Sequence, residues 1–274
     1  MLAQFYPPIL GGVERHVQSL GAALAARGYR VSVATLRHAG QPEFEQAGQV
    51  RVYRVRGTMQ RLTSLFTTDR QHSPPFPDPE VTLALRRIVM REKPEIVHAH
   101  NWMIHSFLPL KAWSRARLVM TLHDCELACA QMRMMYKDVE LCSGPAVRKC
   151  LRCAAHHYGP VKGALTLAGN WSLSGVERAR VDMFLPVSQA VAAANRLTGA
   201  RTPFRVVPNF VPDDVADVDE ADDPRLSPLP VEGFILQVGD LARDKGINVL
   251  LEAYTGLTGA PPLVLIGRRF AESP

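Results

Sequence analysis

The sequence predicts an α/β protein, a doubly wound parallel sheet with helices on both faces. Short apolar runs alternate along the chain with amphipathic helical segments, and parallel strands need crossover connections of about a dozen residues. The apolar content of 47%, with 32 Lys+Arg against 26 Asp+Glu, is typical of globular chains. This composition excludes the disordered and fibrous classes.

Apolar periodicity predicts the elements of a first domain in order. Val13, Val17, Leu20 and Leu24 lie on one face of a first helix, which is expected to end at Gly28. The other predicted elements are strands at residues 31–35, 50–55, 96–99, 118–122, 183–187 and 205–207 and helices at residues 80–91 and 190–197.

A change of composition after Pro208 predicts where this domain ends. Residues 213–223 contain seven Asp and Glu, and residues 224–230 contain three prolines, so the stretch buries little apolar surface. Beyond it the pattern predicts a single strand, helix, strand unit, which we interpret as the opening of a second domain whose remainder is absent. The expected divisions are a first domain at 1–211, a linker at 212–232, and the beginning of a second domain at 233–274, with its strands at 234–238 and 263–266 and its helix at 245–257.

Two adjacent glycines, Gly11 and Gly12, stand where the chain enters the first helix. Without Cβ atoms the backbone can turn tightly and approach a ligand, and the free N–H groups of a helix N-terminus favour an anion. The pair predicts a phosphate site, with a plain turn as the alternative.

Histidines follow two of the predicted strands. His98 and His100 come at the end of strand 96–99, and His123 with Asp124 follows strand 118–122. Ligands of open α/β sheets bind beyond the carboxyl ends of the strands, so we expect these side chains to face one pocket. A structural role for each histidine is the alternative. A metal bound by His100 and His123 is a further alternative, but the spacing of residues in the sequence does not identify a third ligand.

All five cysteines fall in one excursion near residues 125–157. Thiolates suit tetrahedral zinc, and a reducing compartment opposes disulfides. Cys129, Cys142, Cys150 and Cys153 form the best set for a structural zinc. Buried thiols or a redox pair are the alternative.

Charge and hydropathy restrict the partners. The chain has no apolar run of about eighteen residues and no basic, apolar leader, which predicts a cytoplasmic protein. The net charge of +6 permits phosphate-bearing partners, but no nucleic-acid-binding module is present. Arg61 and Arg70, with Leu62, Leu65 and Phe66 between them, suggest a peripheral contact with the inner face of the membrane, with a solvated loop as the alternative.

Five segments together resemble family 4 glycosyltransferases. They read QFYPP at 4–8, GGVERHV at 11–17, PEIVHAH at 94–100, TLHD at 121–124 and VVPN at 206–209, and they occur in the family's order. The cysteine excursion also resembles one found in a subset of this family. The resemblance implies a retaining enzyme of the GT-B fold, with a Rossmann-like first domain that binds the acceptor and a second that binds a nucleotide diphosphate sugar.

The resemblance also implies roles for individual residues. His123 and Asp124 would act at the transferred sugar, and Gly11 and Gly12 would approach the donor phosphate. Lys245 would neutralise the diphosphate, and Arg243 would assist because Asp240 stands where the family usually has arginine. The acceptor would be bound by Glu14, His16, His98, His100, Asn101 and Trp102.

The leading hypothesis is therefore transfer of a hexose from a nucleotide diphosphate sugar to a glycan, lipid-linked or small-molecule acceptor, with no metal needed for catalysis. The family's paired glutamates and the start of its first strand lie outside this sequence, so the chain by itself is expected to be inactive. The alternative is a truncated, non-catalytic module that binds a sugar or a partner and is stabilised by metal.

Overall fold

The computed structural model describes residues 1–9, 11–61, 72–199, 201–213 and 227–269. Four of the five residues expected to contact a membrane, from Leu62 to Arg70, lie outside this part of the chain, and so does most of the acidic linker. The chain divides into two compact units, Met1–Pro212 and Asp213–Pro274. Among the helices described, none combines the length and apolarity needed to cross a bilayer.

The first unit alternates strands with helices and confirms the α/β class. Its described helices are α1 (Gly12–Ala26), α2 (Thr58–Arg61), α3 (Pro79–Glu92), α4 (Ile104–Lys111), α5 (Val147–Tyr158), α6 (Pro160–Arg180) and α7 (Gln189–Ala194). Its described strands are β1 (Ser32–Leu36), β2 (Phe44–Ala47), β3 (Val50–Val55), β4 (Ile96–Ala99), β5 (Arg117–Leu122), β6 (Met135–Tyr136), β7 (Glu140–Leu141) and β8 (Met183–Pro186).

The N-terminal segment joins two three-stranded groups into one sheet. The groups have the orders β1-β3-β2 and β4-β5-β8, and every pair in them is parallel except β2 with β3. Leu2 forms parallel bridges to Ala34 of β1 and to Ala99 of β4. Its N–H donates to the carbonyl of His98 at 2.7 Å, and its carbonyl accepts from the N–H of His100 at 3.0 Å. The carboxyl ends of β1, β4 and β5 therefore lie along one edge.

Apolar side chains fill both faces of this sheet. Phe107, Met120 and Phe184 are fully buried in the larger cluster, which α3 and α4 cover. On the other side Val17 of α1 packs in a second cluster with Val33. Of the predicted apolar face, Val17 is buried and Val13 and Leu24 are half-buried against this cluster. The buried side of α1 also carries His16 and Glu14, which the apolar spacing does not predict.

Helices α5 and α6 form a tight corner that apolar spacing does not predict. Gly159 links them with a φ of +82°, which favours glycine. A Cβ on Gly163 would lie 2.5 Å from the carbonyl carbon and oxygen of Ala154. The two helices therefore touch through backbone, and Glu177 of α6 is hydrogen-bonded through its carboxyl group to Nε2 of His105 in α4.

Two predicted elements are shorter in the structure. Residues 205–207 do not form a regular strand, although the N–H groups of Arg205 and Val207 donate to carbonyls of β8. Helix α7 ends at Ala194 rather than at Leu197, because Arg196 takes a left-handed φ of +54°. Strand β2 is an additional antiparallel edge strand.

The second unit contains a parallel pair, β9 (Ile235–Val238) with β10 (Leu263–Ile266), connected by α8 (Ile247–Thr255). A 3-10 turn at Arg243–Lys245 precedes α8, and the helix starts after Gly246 because that residue has a φ of +76°. A Cβ on Gly267 would lie 1.7 Å from the carbonyl oxygen of Gly239. The carboxyl ends of the two strands therefore meet at backbone distance.

The α5–α6 corner predicts the effect of one methyl group. Gly163→Ala should lower the free energy of unfolding by about 1–3 kcal/mol, because the new Cβ meets backbone atoms that cannot rotate away. Urea unfolding followed by circular dichroism measures the change. Gly175→Ala is the matched control in the same helix: no atom lies within 4 Å of its Cβ position, so it should raise stability by up to about 1 kcal/mol. Equal effects of the two substitutions would contradict the backbone contact.

Candidate active site

Three histidine rings meet at the carboxyl edge of the sheet. His100 and His123 directly follow the neighbouring strands β4 and β5, and His16 projects from α1, one turn after Gly12. The ring centroids of His16 and His123 are 5.1 Å apart, and those of His100 and His123 are 5.5 Å apart. Nδ1 of His100 lies 3.2 Å from Nε2 of His123. Residues from three distant parts of the sequence thus form one cluster.

A fourth ring, His98, extends the cluster along β4. It lies 4.3 Å from His100 between centroids, and its Nε2 is 2.7 Å from the hydroxyl oxygen of Thr121 on β5. Sequence reasoning did not single out Thr121. It is the cross-strand neighbour that fixes the orientation of the His98 ring.

Burial keeps these imidazoles neutral. Burial, with smaller contributions from nearby charged groups that include His16, lowers the pKa of His123 to about 4 and that of His98 to about 3. Burial also lowers the pKa of His16, and it moves that of His100 well below its ordinary value. A neutral imidazole offers one N–H donor and one acceptor nitrogen, the pair of functions that a sugar hydroxyl matches.

Two ring nitrogens of this cluster lack a partner within the described structure. Nδ1 of His16 and Nε2 of His100 are buried and make no hydrogen bond. Unsatisfied buried polar atoms cost about 1–3 kcal/mol each, so a site of this kind favours a polar ligand. Ligand atoms of His16, His100 and His123 also lie within 4.8 Å of one another, and three neutral imidazoles can hold a transition metal.

Asp124 is a half-buried acid next to the cluster. Burial raises the pKa of its carboxyl group to about 7, and a hydrogen bond of 2.9 Å from the N–H of Glu126 opposes the rise. Glu126 is itself buried, and burial, followed by the charges of Asp124 and Glu177, raises its pKa well above the ordinary value. A carboxyl group that titrates near neutral pH can both donate and accept a proton.

The turn that carries Asp124 is held by two buried asparagines. The side chain of Asn195 accepts from the N–H of Leu127 at 3.0 Å and donates to the carbonyl of Asp124 at 2.7 Å. Asn170 donates to the carbonyl of Glu126 at 2.6 Å. Sequence reasoning missed both asparagines, because their partners lie 44 to 71 residues away along the chain.

The glycine loop, Gly11 and Gly12, leads into α1, the helix that carries His16. Gly11 caps the helix, and a Cβ there would lie 2.2 Å from Oε2 of Glu14, whose buried side chain folds back over it. Gly12 has no atom within 4 Å of its Cβ position. Buried Arg54, another residue that the sequence did not signal, donates to the carbonyl of Pro7 at 2.9 Å and so holds the start of this loop.

Two further predicted site residues serve the fold. The side chain of Asn101 accepts from the N–H of Gln4 at 3.0 Å and thereby fixes the N-terminal segment. Trp102 is 5% exposed, and its ring lies 6.2 Å from that of His105. Their contacts are with the protein interior.

In the second unit, Arg243 and Lys245 lie exposed on the turn before α8. Arg268, just after β10, forms a bidentate pair with Asp240, with N–O distances of 3.0 and 2.9 Å. The carboxylate that replaces the family's arginine is therefore paired with an arginine from the neighbouring strand.

The burial of the histidine cluster predicts its behaviour on titration. The imidazole resonances of His98 and His123 should keep neutral-form chemical shifts from about pH 8 to about pH 5.5, because their pKa values lie near 3 and 4. NMR of the histidine-labelled protein measures this, and the urea-unfolded chain, whose histidines should titrate near pH 6.5, is the control. A midpoint near 6.5 for His123 in the folded protein would show that the ring is solvated.

One curated protein and one solved structure illustrate what this chain is similar to. An uncharacterized glycosyltransferase of Methanocaldococcus jannaschii is 30% identical over 132 residues, which cover 46% of this chain and 31% of that protein. The chain thus spans about a third of the length of this curated relative. Among solved structures, a sucrose-phosphate synthase from Thermosynechococcus elongatus matches with 14% identity and a TM-score of 0.43, over 73% of this chain and 87% of that one.

The sequence profile of Glycosyltransferase Family 4 matches residues 10–215. The matched span is well over half of the chain and contains the glycine loop, the histidine cluster and all five cysteines. This chain belongs to Glycosyltransferase Family 4.

Proposed function

We propose that this protein transfers a hexose from a nucleoside diphosphate hexose to a hydroxyl group of a glycan, lipid-linked or small-molecule acceptor, with retention of anomeric configuration. The observation that carries the proposal is the cluster of neutral imidazoles from His16, His100 and His123 at the carboxyl edge of the sheet. Family membership supports the reaction type.

The reaction breaks one bond at the anomeric carbon, forms another at the same atom and transfers one proton. The bond between the anomeric carbon and the diphosphate oxygen breaks, and its electron pair leaves with the diphosphate. The acceptor oxygen forms the new bond on the same face of the sugar. The acceptor proton passes to the departing phosphate oxygen. Charge develops on the leaving group and on the sugar ring, so catalysis requires stabilisation at both places.

In this proposal His123 hydrogen-bonds the transferred sugar. Its neutral ring can accept from one sugar hydroxyl or donate to another without adding charge, because burial lowers its pKa to about 4. Asp124, whose carboxyl group has a pKa of about 7, acts on the same sugar as a group that can donate or accept a proton. His16, His98, His100 and Glu14 line the acceptor side, with Asn101 and Trp102 supporting them from the interior.

The diphosphate charge is met by cations and backbone N–H groups. Lys245 and Arg243 stand before the N-terminus of α8, where a helix favours an anion. Gly12, which is open at its Cβ position, would allow close approach of the donor phosphate to α1. In this proposal catalysis needs no metal. The free cysteines support a reducing, cytoplasmic location for the protein.

The test uses the protein expressed from its complete gene. We expect release of nucleoside diphosphate from one member of a panel of UDP, GDP and ADP hexoses, and a product that keeps the donor's anomeric configuration. His123→Ala should lower kcat/KM by roughly 100-fold or more through the loss of stabilisation at the sugar. His156→Ala, at an exposed position of α5, is the matched control and should leave the rate unchanged.

Donor binding without turnover, equal in the wild type and in His123→Ala, would instead favour the non-catalytic binding module. Inversion of configuration would overturn the retaining mechanism. A rate that His156→Ala and His123→Ala lower equally would remove His123 from the proposed role.

A further inference from the structure

The excursion between β5 and α5 is a weakly supported part of the first unit. It contains one small hairpin, β6 with β7, and otherwise turns. Four of its residues without glycine's freedom take left-handed φ values, Met132 (67°), Met134 (53°), Lys137 (51°) and Asp138 (60°). Each such residue costs about 1 kcal/mol or more, and the apolar cluster beneath has only three buried residues. The segment therefore needs a further constraint.

Two cysteines on α5 face this excursion. Cys150 and Cys153 are three residues apart and thus lie on one side of the helix. The backbone N–H of Lys137, in the hairpin turn, donates to Sγ of Cys153 at 3.3 Å. The N–H of Ala146 donates to Sγ of Cys150 at 3.4 Å. These two N–H groups hold the sulfur atoms of Cys150 and Cys153 against the backbone of the excursion and of the segment before α5.

The other two cysteines of the set come from the segments packed on this side of α5. Cys142 follows β7 directly, and its N–H donates to the carbonyl of Met134 at 2.8 Å across the hairpin. Cys129 belongs to a turn whose next residues contact the helix: the Gln131 amide donates to the carbonyl of Cys153 at 2.9 Å and to its sulfur at 3.4 Å.

The fifth cysteine and the nearby histidine are occupied differently. Cys125 lies beside Asp124, and its N–H donates to the carbonyl of Met132 at 2.9 Å. His157 contacts Asp138 through Nδ1 at 3.5 Å and Arg133 through Nε2 at 3.5 Å. The set of four thiols is therefore defined by the fold as well as by the spacing.

We propose that Cys129, Cys142, Cys150 and Cys153 bind one zinc ion in a tetrahedral site that fixes the excursion. Four thiolates on a divalent cation carry a net charge of about −2, and the surrounding segment is basic. As a set the sulfur atoms are spaced more widely than the 4.8 Å of the histidine cluster, so binding draws the hairpin and the turn of Cys129 towards α5. The basic residues of this segment are Arg133, Lys137, Arg148, Lys149 and Arg152.

This site is independent of the proposed transfer reaction, and its test measures metal rather than turnover. Protein purified without chelator should contain about one equivalent of zinc by elemental analysis. Exchange with cobalt should give the intense visible bands of a tetrahedral cobalt–thiolate centre. Ser substitution of any one of the four cysteines should lower the zinc content by at least half. Cys125→Ser is the matched control and should retain the full equivalent.

Several outcomes would overturn the proposal. The first is a zinc content below about one tenth of an equivalent, with no cobalt–thiolate absorption after reduction and reconstitution. The second is a loss of zinc in Cys125→Ser equal to that in Cys153→Ser. The third is a disulfide in the purified protein in place of metal. If His16→Ala removes the metal while the cysteine variants keep it, the ion belongs to the histidine cluster. The cobalt spectrum of the unmodified protein keeps the test valid if a serine variant does not fold.

Discussion

The backbone hydrogen bonds of Leu2 are the constraint on which the first unit depends. They join β1 to β4 and make one sheet from two three-stranded groups. The chain leaving this segment passes through the loop held by Arg54 and enters α1, so the position of His16 depends on it. Because the N–H of His100 donates to the Leu2 carbonyl, the same bonds fix the end of β4.

Burial gives the candidate site its electrostatic character. One physical cause, loss of solvation, lowers the pKa of His123 and raises that of Asp124, so both side chains are driven towards their uncharged forms. A cluster of side chains rich in hydrogen-bonding groups and poor in charge suits uncharged hydroxyl-bearing ligands. The exposed cations of the second unit, Arg243 and Lys245, have the opposite character. In the proposed reaction, the sugar and the diphosphate of the donor would thus contact surfaces of different chemical character.

The sequence predicts those secondary-structure elements whose apolar pattern is local, and it does not predict those whose formation depends on tertiary packing. The apolar stripe that includes Val17 predicts α1, and the apolar run at 96–99 predicts β4 with its observed bounds. Helix α6 is not predictable in this way, because its glycines resemble those of loops; Gly163 and Gly169 are needed where Ala154 and Pro75 approach within backbone distance. Likewise the contact of His16 with His123 joins residues too distant in sequence for any spacing rule.

The bridge through Leu2 also bears on how the protein matures. The groups that meet at the sheet edge come from residues near 2, 16, 100 and 123, so most of the first unit must be synthesised before they can assemble. Contacts between residues so far apart in sequence form slowly, because the chain loses the entropy of loop closure before these contacts can stabilise it. A nascent or partly folded chain therefore lacks the assembled histidine cluster, which forms only when the first unit has folded.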